Sequence, residues 1–136
     1  MAAVAVTPFV LNDVTLKVDA DNFEAALSAV EFVPSSSIVT FKGMTPTSVH
    51  TLGTTATWTC NLTFAQDWET VGSLSQYLLA NEGNAVVAEF YPKAGGTGFT
   101  ATIIVTPGAI GGPGDAIAVA TVSLGVSGKP AVIVAV

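Results

Sequence analysis

The segment TATWTCNLTF, residues 55–64, decides the fold class of this 136-residue chain. Its side chains alternate strictly between apolar and neutral polar types. The apolar set is Ala56, Trp58, Cys60, Leu62 and Phe64, and the polar set is Thr57, Thr59, Asn61 and Thr63. A period of two is typical of a β-strand that lays one face on a core and leaves the other face polar. The segment therefore predicts a strand with one buried face.

Short segments rich in Val, Thr and Ala lie on both sides of this strand, separated by turn-forming residues. We predict further strands at 14–18, 37–43, 85–91, 99–106 and 117–126, with SGKP (127–130) as a turn before the final AVIVAV. Residues 23–33 fit either a helix or a strand, and their β-branched and aromatic residues favour the strand. Strands dominate and no βαβ alternation occurs. Residues 1–136 are therefore predicted to form one mainly β domain, a two-sheet β-sandwich or barrel-like fold.

Residues 67–81 break the β pattern and are predicted to form one α-helix that flanks the sheets. Asp67 suits the N-cap, and Glu69 suits the first turn, where the helix dipole favours a negative charge. Apolar residues recur at helical spacing and are expected to pack against a sheet. They are Trp68, Val71, Leu74 and Leu78.

The segment MTPTSVHTLGTTA, residues 44–56, is polar, rich in Thr and prone to turns. It predicts either a long loop or an extended hairpin. Loops longer than about 12 residues are uncommon in compact domains and are often functional. We therefore expect this segment to make contacts beyond its own domain.

The composition indicates a subunit that hides apolar surface in an assembly. Half of the residues are hydrophobic and 10% are charged, with four Lys, no Arg and a net charge of −6. No apolar run approaches the roughly 20 residues of a membrane-spanning helix, so we expect no membrane span. MAAVAV also lacks the basic region of a secretory signal. An Ala- and Val-rich monomer is the alternative reading, and the acidic balance argues against attraction to nucleic acid.

The residue types needed for catalysis are scarce. His50 is the only histidine and has no carboxylate beside it in the sequence, and Cys60 is the only cysteine. Nucleophilic catalysis and metal binding both need such groups in clusters. We therefore predict that the chain is not an enzyme and takes no cofactor or metal.

The order of these segments along the chain resembles that of a known protein family. The Trp- and Thr-rich strand leads through FAQDW into SLSQYLLANEG, and AVVAEFYP, FTATIIVTP and ATVSLGVSGKP follow. Over roughly residues 14–130 this pattern resembles the major tail (tail tube) proteins of long-tailed bacteriophages. The resemblance implies two packed β-sheets with a flanking helix, hexameric rings that stack into a tube, and a hairpin or loop that reaches the neighbouring ring. It also implies that the tube conducts the genome to the host.

The resemblance implies roles for particular residues. Some residues of the polar strand faces are expected to face the lumen, and the alternative is that they are solvent-facing strand positions. The candidates are Thr57, Thr59, Asn61, Thr63, Glu89, Thr100 and Thr102. Candidates for contact between rings are Thr45, Pro46, Val49, His50 and Leu52. The apolar termini are expected either to act as arms between subunits or to pack on their own domain, and the helix is expected to close the side of the sheet away from the lumen.

The implied partners are further copies of the chain and other tail proteins, such as the tape measure, tail tip and terminator. DNA is expected to pass through without specific binding. The implied location is the virion, after assembly in the host cytoplasm. The alternative is an immunoglobulin-like binding or decoration module on a virion or cell surface.

Overall fold

Strands dominate the chain, as the alternating segments predict. The computed structural model describes residues 2–134, which form nine strands, one short 3₁₀ helix and one α-helix. In chain order these are β1 (Thr15–Val18), β2 (Asp21–Asn22), the 3₁₀ helix (Glu24–Ala26), β3 (Leu27–Ser35), β4 (Ile38–Lys42), β5 (Val49–Gly53), β6 (Thr57–Ala65), α1 (Leu74–Ala80), β7 (Ala85–Tyr91), β8 (Gly98–Ile104) and β9 (Val119–Ile133). The prediction of a mainly β fold with one helix is confirmed.

The large sheet is built around β6. Seven strands form one antiparallel sheet in the order β2-β1-β7-β8-β9-β6-β3, and β4 and β5 form a separate two-stranded sheet. Along β6 the side chains of Cys60, Leu62 and Phe64 are buried, whereas Thr57 on the opposite face is exposed. Burial of a Leu or Phe side chain stabilises a fold by about 1.5–3 kcal/mol. The apolar face of β6 therefore holds this strand against the core.

The large sheet curls so that its two halves face each other across the core. Phe32 lies on β3 and Phe90 on β7, in opposite halves of the sheet, yet their ring centroids are 5.9 Å apart. Side chains from both halves join one buried cluster, which includes Leu16, Val18, Val30, Cys60, Leu62, Phe64, Ala88, Ile103, Val105, Ala120, Val122 and Leu124. The fold is therefore sandwich-like, and the small second sheet lies outside the core.

Residues 23–33 adopt the favoured strand after one short turn. The 3₁₀ helix occupies Glu24–Ala26, and β3 then runs from Leu27 through Pro34 to Ser35. Proline lacks the N–H that a central strand needs, but β3 lies at the edge of the sheet. The edge position is why the strand continues through Pro34.

The predicted turn at SGKP is wrong, because β9 continues through it as one strand. Gly128 has φ +85°, and the register with β8 shifts between Thr100 and Thr102. A β-bulge absorbs extra residues while the strand goes on. The strand beyond the bulge includes Ala131–Ile133, which pair with Gly98–Thr100.

The helix is shorter than predicted. It begins at Leu74 rather than Asp67, because the Asp67 carboxylate accepts the amides of Glu69 and Thr70 at 3.0 Å and forms a turn, and Gly72 follows with φ +81°. A hydrogen bond from the Thr70 side chain, together with those from the two amides, lowers the pKa of Asp67. Ser73 is the actual N-cap and accepts the Gln76 amide at 3.4 Å.

Only two of the four residues predicted to pack the helix on the sheet do so. Leu74 and Leu78 are buried in the core cluster. Val71 is 93% exposed, because it precedes the helix in the turn that ends at Gly72. Trp68 also precedes the helix, and its indole N–H donates to Gln66 Oε1 at 3.1 Å. The prediction of helix packing is therefore wrong for Trp68 and Val71.

This difference predicts unequal effects of truncation at two neighbouring positions. Leu74→Ala should lower the free energy of unfolding by about 2–5 kcal/mol, because it leaves a cavity beneath α1. Val71→Ala is the matched control and should change the free energy by less than about 0.5 kcal/mol. Urea unfolding of the dilute subunit measures both. Equal losses at the two positions would contradict the placement of the helix.

Candidate assembly surfaces

One face of the large sheet carries many polar side chains, and the strand register brings the predicted lumen-facing residues together on it. Four large apolar residues are exposed on the same face: Val33, Val87, Ile104 and Val119. Directly paired residues of antiparallel strands point to the same face. Asn61 pairs with Ser123, Thr102 with Ser127 and Thr100 with Glu89. These pairs connect β6, β9, β8 and β7. They place one group of side chains on the face that points away from the core. It consists of Thr57, Thr59, Asn61, Thr63, Glu89, Thr100 and Thr102.

Hydrogen bonds between neighbouring strands hold this polar face in place. Ser123 donates to Asn61 Oδ1 at 2.8 Å, and the hydroxyls of Thr63 and Thr121 lie 3.2 Å apart. The Tyr91 hydroxyl donates to Glu89 Oε1 at 3.1 Å, and this hydrogen bond raises the pKa of Tyr91. The helix lies on the other, core side of the sheet, since Leu74 and Leu78 belong to the core cluster.

The segment 44–56 is the turn and second strand of a hairpin. β4 and β5 pair through five residue pairs, from Ile38 with Gly53 to Lys42 with Val49. Ser37 and Thr54 clamp the base: the Thr54 amide donates to the Ser37 carbonyl at 3.0 Å, and the Thr54 hydroxyl donates to the same oxygen at 2.7 Å. Of the predicted contact residues, two lie in the turn and three on β5. They are Thr45 and Pro46, and Val49, His50 and Leu52.

Every residue of the two hairpin strands is exposed, and one face of the hairpin is mainly apolar. The pairs Val39 with Leu52 and Phe41 with His50 share this face. The rings of Phe41 and His50 stack with centroids 6.4 Å apart. Val39 and Phe41 were missed as contact candidates because 37–43 read as an ordinary sheet strand. The pairing of that strand with 49–53, which the topology shows, identifies them as contact candidates.

The termini differ in how they meet the domain. Residues 2–11 form no strand, and Val4, Val6, Phe9 and Val10 are exposed. The start of the final AVIVAV pairs with β8 of its own domain, which agrees with the expectation that this terminus packs on its own domain. Ala135 and Val136, like Met1, lie outside the described residues.

The environments of the cysteine and of the possible metal-binding side chains bear on whether they could take part in chemistry. Burial raises the pKa of the Cys60 thiol to about 12, so its reactive thiolate is scarce near neutral pH. Among residues 2–134, no three His, Cys, Asp or Glu side chains come together as a metal site would need. No helix within those residues has the length and apolar character to cross a membrane.

Comparisons of the chain with protein-family models and with curated proteins find no match.

Proposed function

We propose that this chain is a structural subunit that assembles with its own copies into hexameric rings, which stack as a phage tail tube and conduct the genome to the host. The resemblance in sequence suggests the tube. The observation that carries the proposal is the hairpin β4–β5, which extends beyond the core with its apolar side chains exposed.

The hairpin needs a partner surface on physical grounds. An isolated two-stranded hairpin is marginally stable in water, and contiguous exposed apolar surface commonly marks an interface. Large apolar residues are exposed on both hairpin strands: Ile38, Val39, Phe41, Val49 and Leu52. A second copy in the next ring would cover them. The contact residues expected from the sequence lie on the same hairpin: Thr45, Pro46, Val49, His50 and Leu52.

The polar sheet face suits the wall of a DNA conduit. Its hydroxyl and amide groups are neutral and hydrogen-bonded to one another across strands, and Lys17 on this face lies opposite Glu89 in the strand register. Basic residues on such a wall would bind phosphates and release counterions at every contact, which would hold the DNA. With four Lys, no Arg and a net charge of −6, the chain is suited to let DNA pass without specific binding.

The proposal also implies further protein partners and a location for the chain. The tube would meet a tape measure protein within it and tail tip and terminator proteins at its ends. It would form in the host cytoplasm and function in the virion. The immunoglobulin-like binding or decoration module remains the alternative, and it predicts monomers or trimers without rings.

Removal of the hairpin tests the proposal. Joining Ser37 to Thr54 through Asn-Gly replaces Ile38–Gly53 by a tight turn between residues that already pair. The wild-type chain should form rings or tubes in negative-stain micrographs. The shortened chain should keep the circular dichroism spectrum of the wild type but form no tubes, because the contact between rings is gone. Tubes of normal length from the shortened chain would contradict the proposal.

A pair of point variants controls for general damage to the hairpin. Phe41→Ser with Leu52→Ser removes apolar surface from one face and should reduce tube length. Thr40→Ser with Thr51→Ser alters the opposite face, where the two hydroxyls lie 3.4 Å apart, and should leave the tubes unchanged.

Labelling of the polar face tests its assignment to the lumen. In tubes of Thr59→Cys or Thr102→Cys, a small maleimide should react, whereas a maleimide on a large polymer should be excluded by the narrow channel. Both reagents should react with the free subunit, and native Cys60 is the buried background. Reaction with both reagents in tubes would place this face on the outer wall. Reaction with neither would place it in an interface.

A further inference from the structure

Charged side chains are segregated between the two ends of the fold. β3 and β6 each span nine residues, or about 30 Å at roughly 3.3 Å per residue. Both run between the hairpin β4–β5 and the region of the 3₁₀ helix and α1. We call these the hairpin end and the helix end. Because two long strands separate them, the ends lie on opposite sides of the core.

The helix end is acidic. Of the ten acidic residues, seven lie there, in β2 and its neighbours, the turn before α1, the turn after α1 and the loop before β9. They are Asp19, Asp21, Glu24, Asp67, Glu69, Glu82 and Asp115. Burial raises the pKa of Tyr77 on α1, and the charges of Asp19 and Asp21 raise it further, as expected for carboxylates close to the helix. Of the four lysines, Lys17 alone lies near this end, since it pairs with Asn22 of β2.

The hairpin end is basic. Lys42 ends β4 next to the hairpin turn, Lys93 lies in the turn between β7 and β8, and Lys129 lies at the bulge of β9. Asp13 is the acidic residue of this end, and its carbonyl accepts the Ala94 amide at 2.9 Å. Lys17 on β1 lies opposite Glu89 on β7 in the strand register. The two ends therefore carry opposite charge.

A groove at the helix end combines carboxylates with apolar side chains. It has a volume of about 470 Å³ and runs between residues 21–26 and residues 65–74. Asp21 and Asp67 supply the carboxylates, and Phe23, Val71 and Leu74 supply apolar surface. Val71 is exposed here although it is a large apolar residue in an otherwise polar turn.

The tip of the hairpin has the complementary chemistry. Lys42 and Met44 are adjacent to the turn, and the Met44 side chain is fully exposed. A lysine ammonium matches the carboxylates of the groove, and a flexible methionine adapts well to an irregular apolar surface. Contact between two hairpin ends, or between two helix ends, would oppose like charges. Charge complementarity thus favours contact between unlike ends.

We propose that copies of this chain stack head to tail, with the hairpin tip of one copy seated in the acidic groove at the helix end of the next. This inference rests on the proposed function and adds the surface that receives the hairpin and the direction of stacking. A contact between unlike surfaces that does not close into a ring repeats as an open filament with two different ends. Val71, wrongly predicted to pack on the sheet, would be covered by Met44 of the neighbouring copy.

Disulfide cross-linking between copies tests the contact directly. A chain with Met44→Cys is mixed with a chain with Val71→Cys, assembled and oxidised, and the products are separated on a denaturing gel. Disulfide-linked dimers should form in the mixture but not from either chain alone. Val87→Cys, an exposed position of the polar face, replaces Val71→Cys in the control mixture and should give no dimers. Tubes that give no dimers in the test mixture, or efficient linkage of Met44→Cys to itself, would overturn the inference.

Exchange of charges tests the ion pair. Lys42→Glu and Asp21→Lys each place like charges at the contact and should raise the critical concentration for assembly about tenfold. The combined variant should return close to the wild-type value, because opposite charges meet again. Lys93→Glu replaces Lys42→Glu in a matched control and should show no such recovery with Asp21→Lys. A combined variant that assembles no better than either single variant would overturn the pairing.

These outcomes separate the inference from the proposed function. Rings or tubes without cross-links or charge recovery would keep the structural role and refute this mode of stacking. A wild-type chain that stays monomeric at every concentration tested by sedimentation would refute both.

Discussion

Burial of alternate side chains along β6 is the constraint on which the rest of the structure depends. Cys60, Leu62 and Phe64 enter the core, so the hydroxyl- and amide-bearing residues between them must face the other way. A slip of one residue would exchange the two sets and bury polar groups without partners, at about 1–3 kcal/mol each. Since β6 pairs with both β3 and β9, its register orients most of the sheet and creates the polar face.

The same arrangement leaves apolar surface that the domain cannot cover. The core ends where β3 leaves the sheet at Ser35 and β6 enters it at Thr57, and the chain between them forms a separate hairpin. A two-stranded sheet has neither further strands nor a helix against which its apolar face can pack. The side chains of Val39, Phe41 and Leu52 are exposed as a result, and under the proposed function a neighbouring copy would cover them.

The sequence predicts strands and faces well where the pattern is local. Alternation in 55–64 predicts which side chains of β6 are buried, and the polar positions lie together as a result. The errors arise where local geometry opposes a periodic pattern. The left-handed conformation of Gly72 and the turn around Asp67 remove about two turns of predicted helix. The bulge at Gly128 carries β9 through a predicted turn. Neither the pairing of β4 with β5 nor the separation of charge between the ends can be read without the topology.

Hydrogen exchange at the hairpin amides tests most directly whether the hairpin is completed by a neighbouring copy. We predict that the amides of Ile38–Gly53 exchange rapidly in the dilute subunit and slowly in assemblies at high concentration. The amides of β6 and β9 should be protected in both, because they belong to the core of the domain. Hairpin amides that exchange at the same rate in both samples would contradict the account.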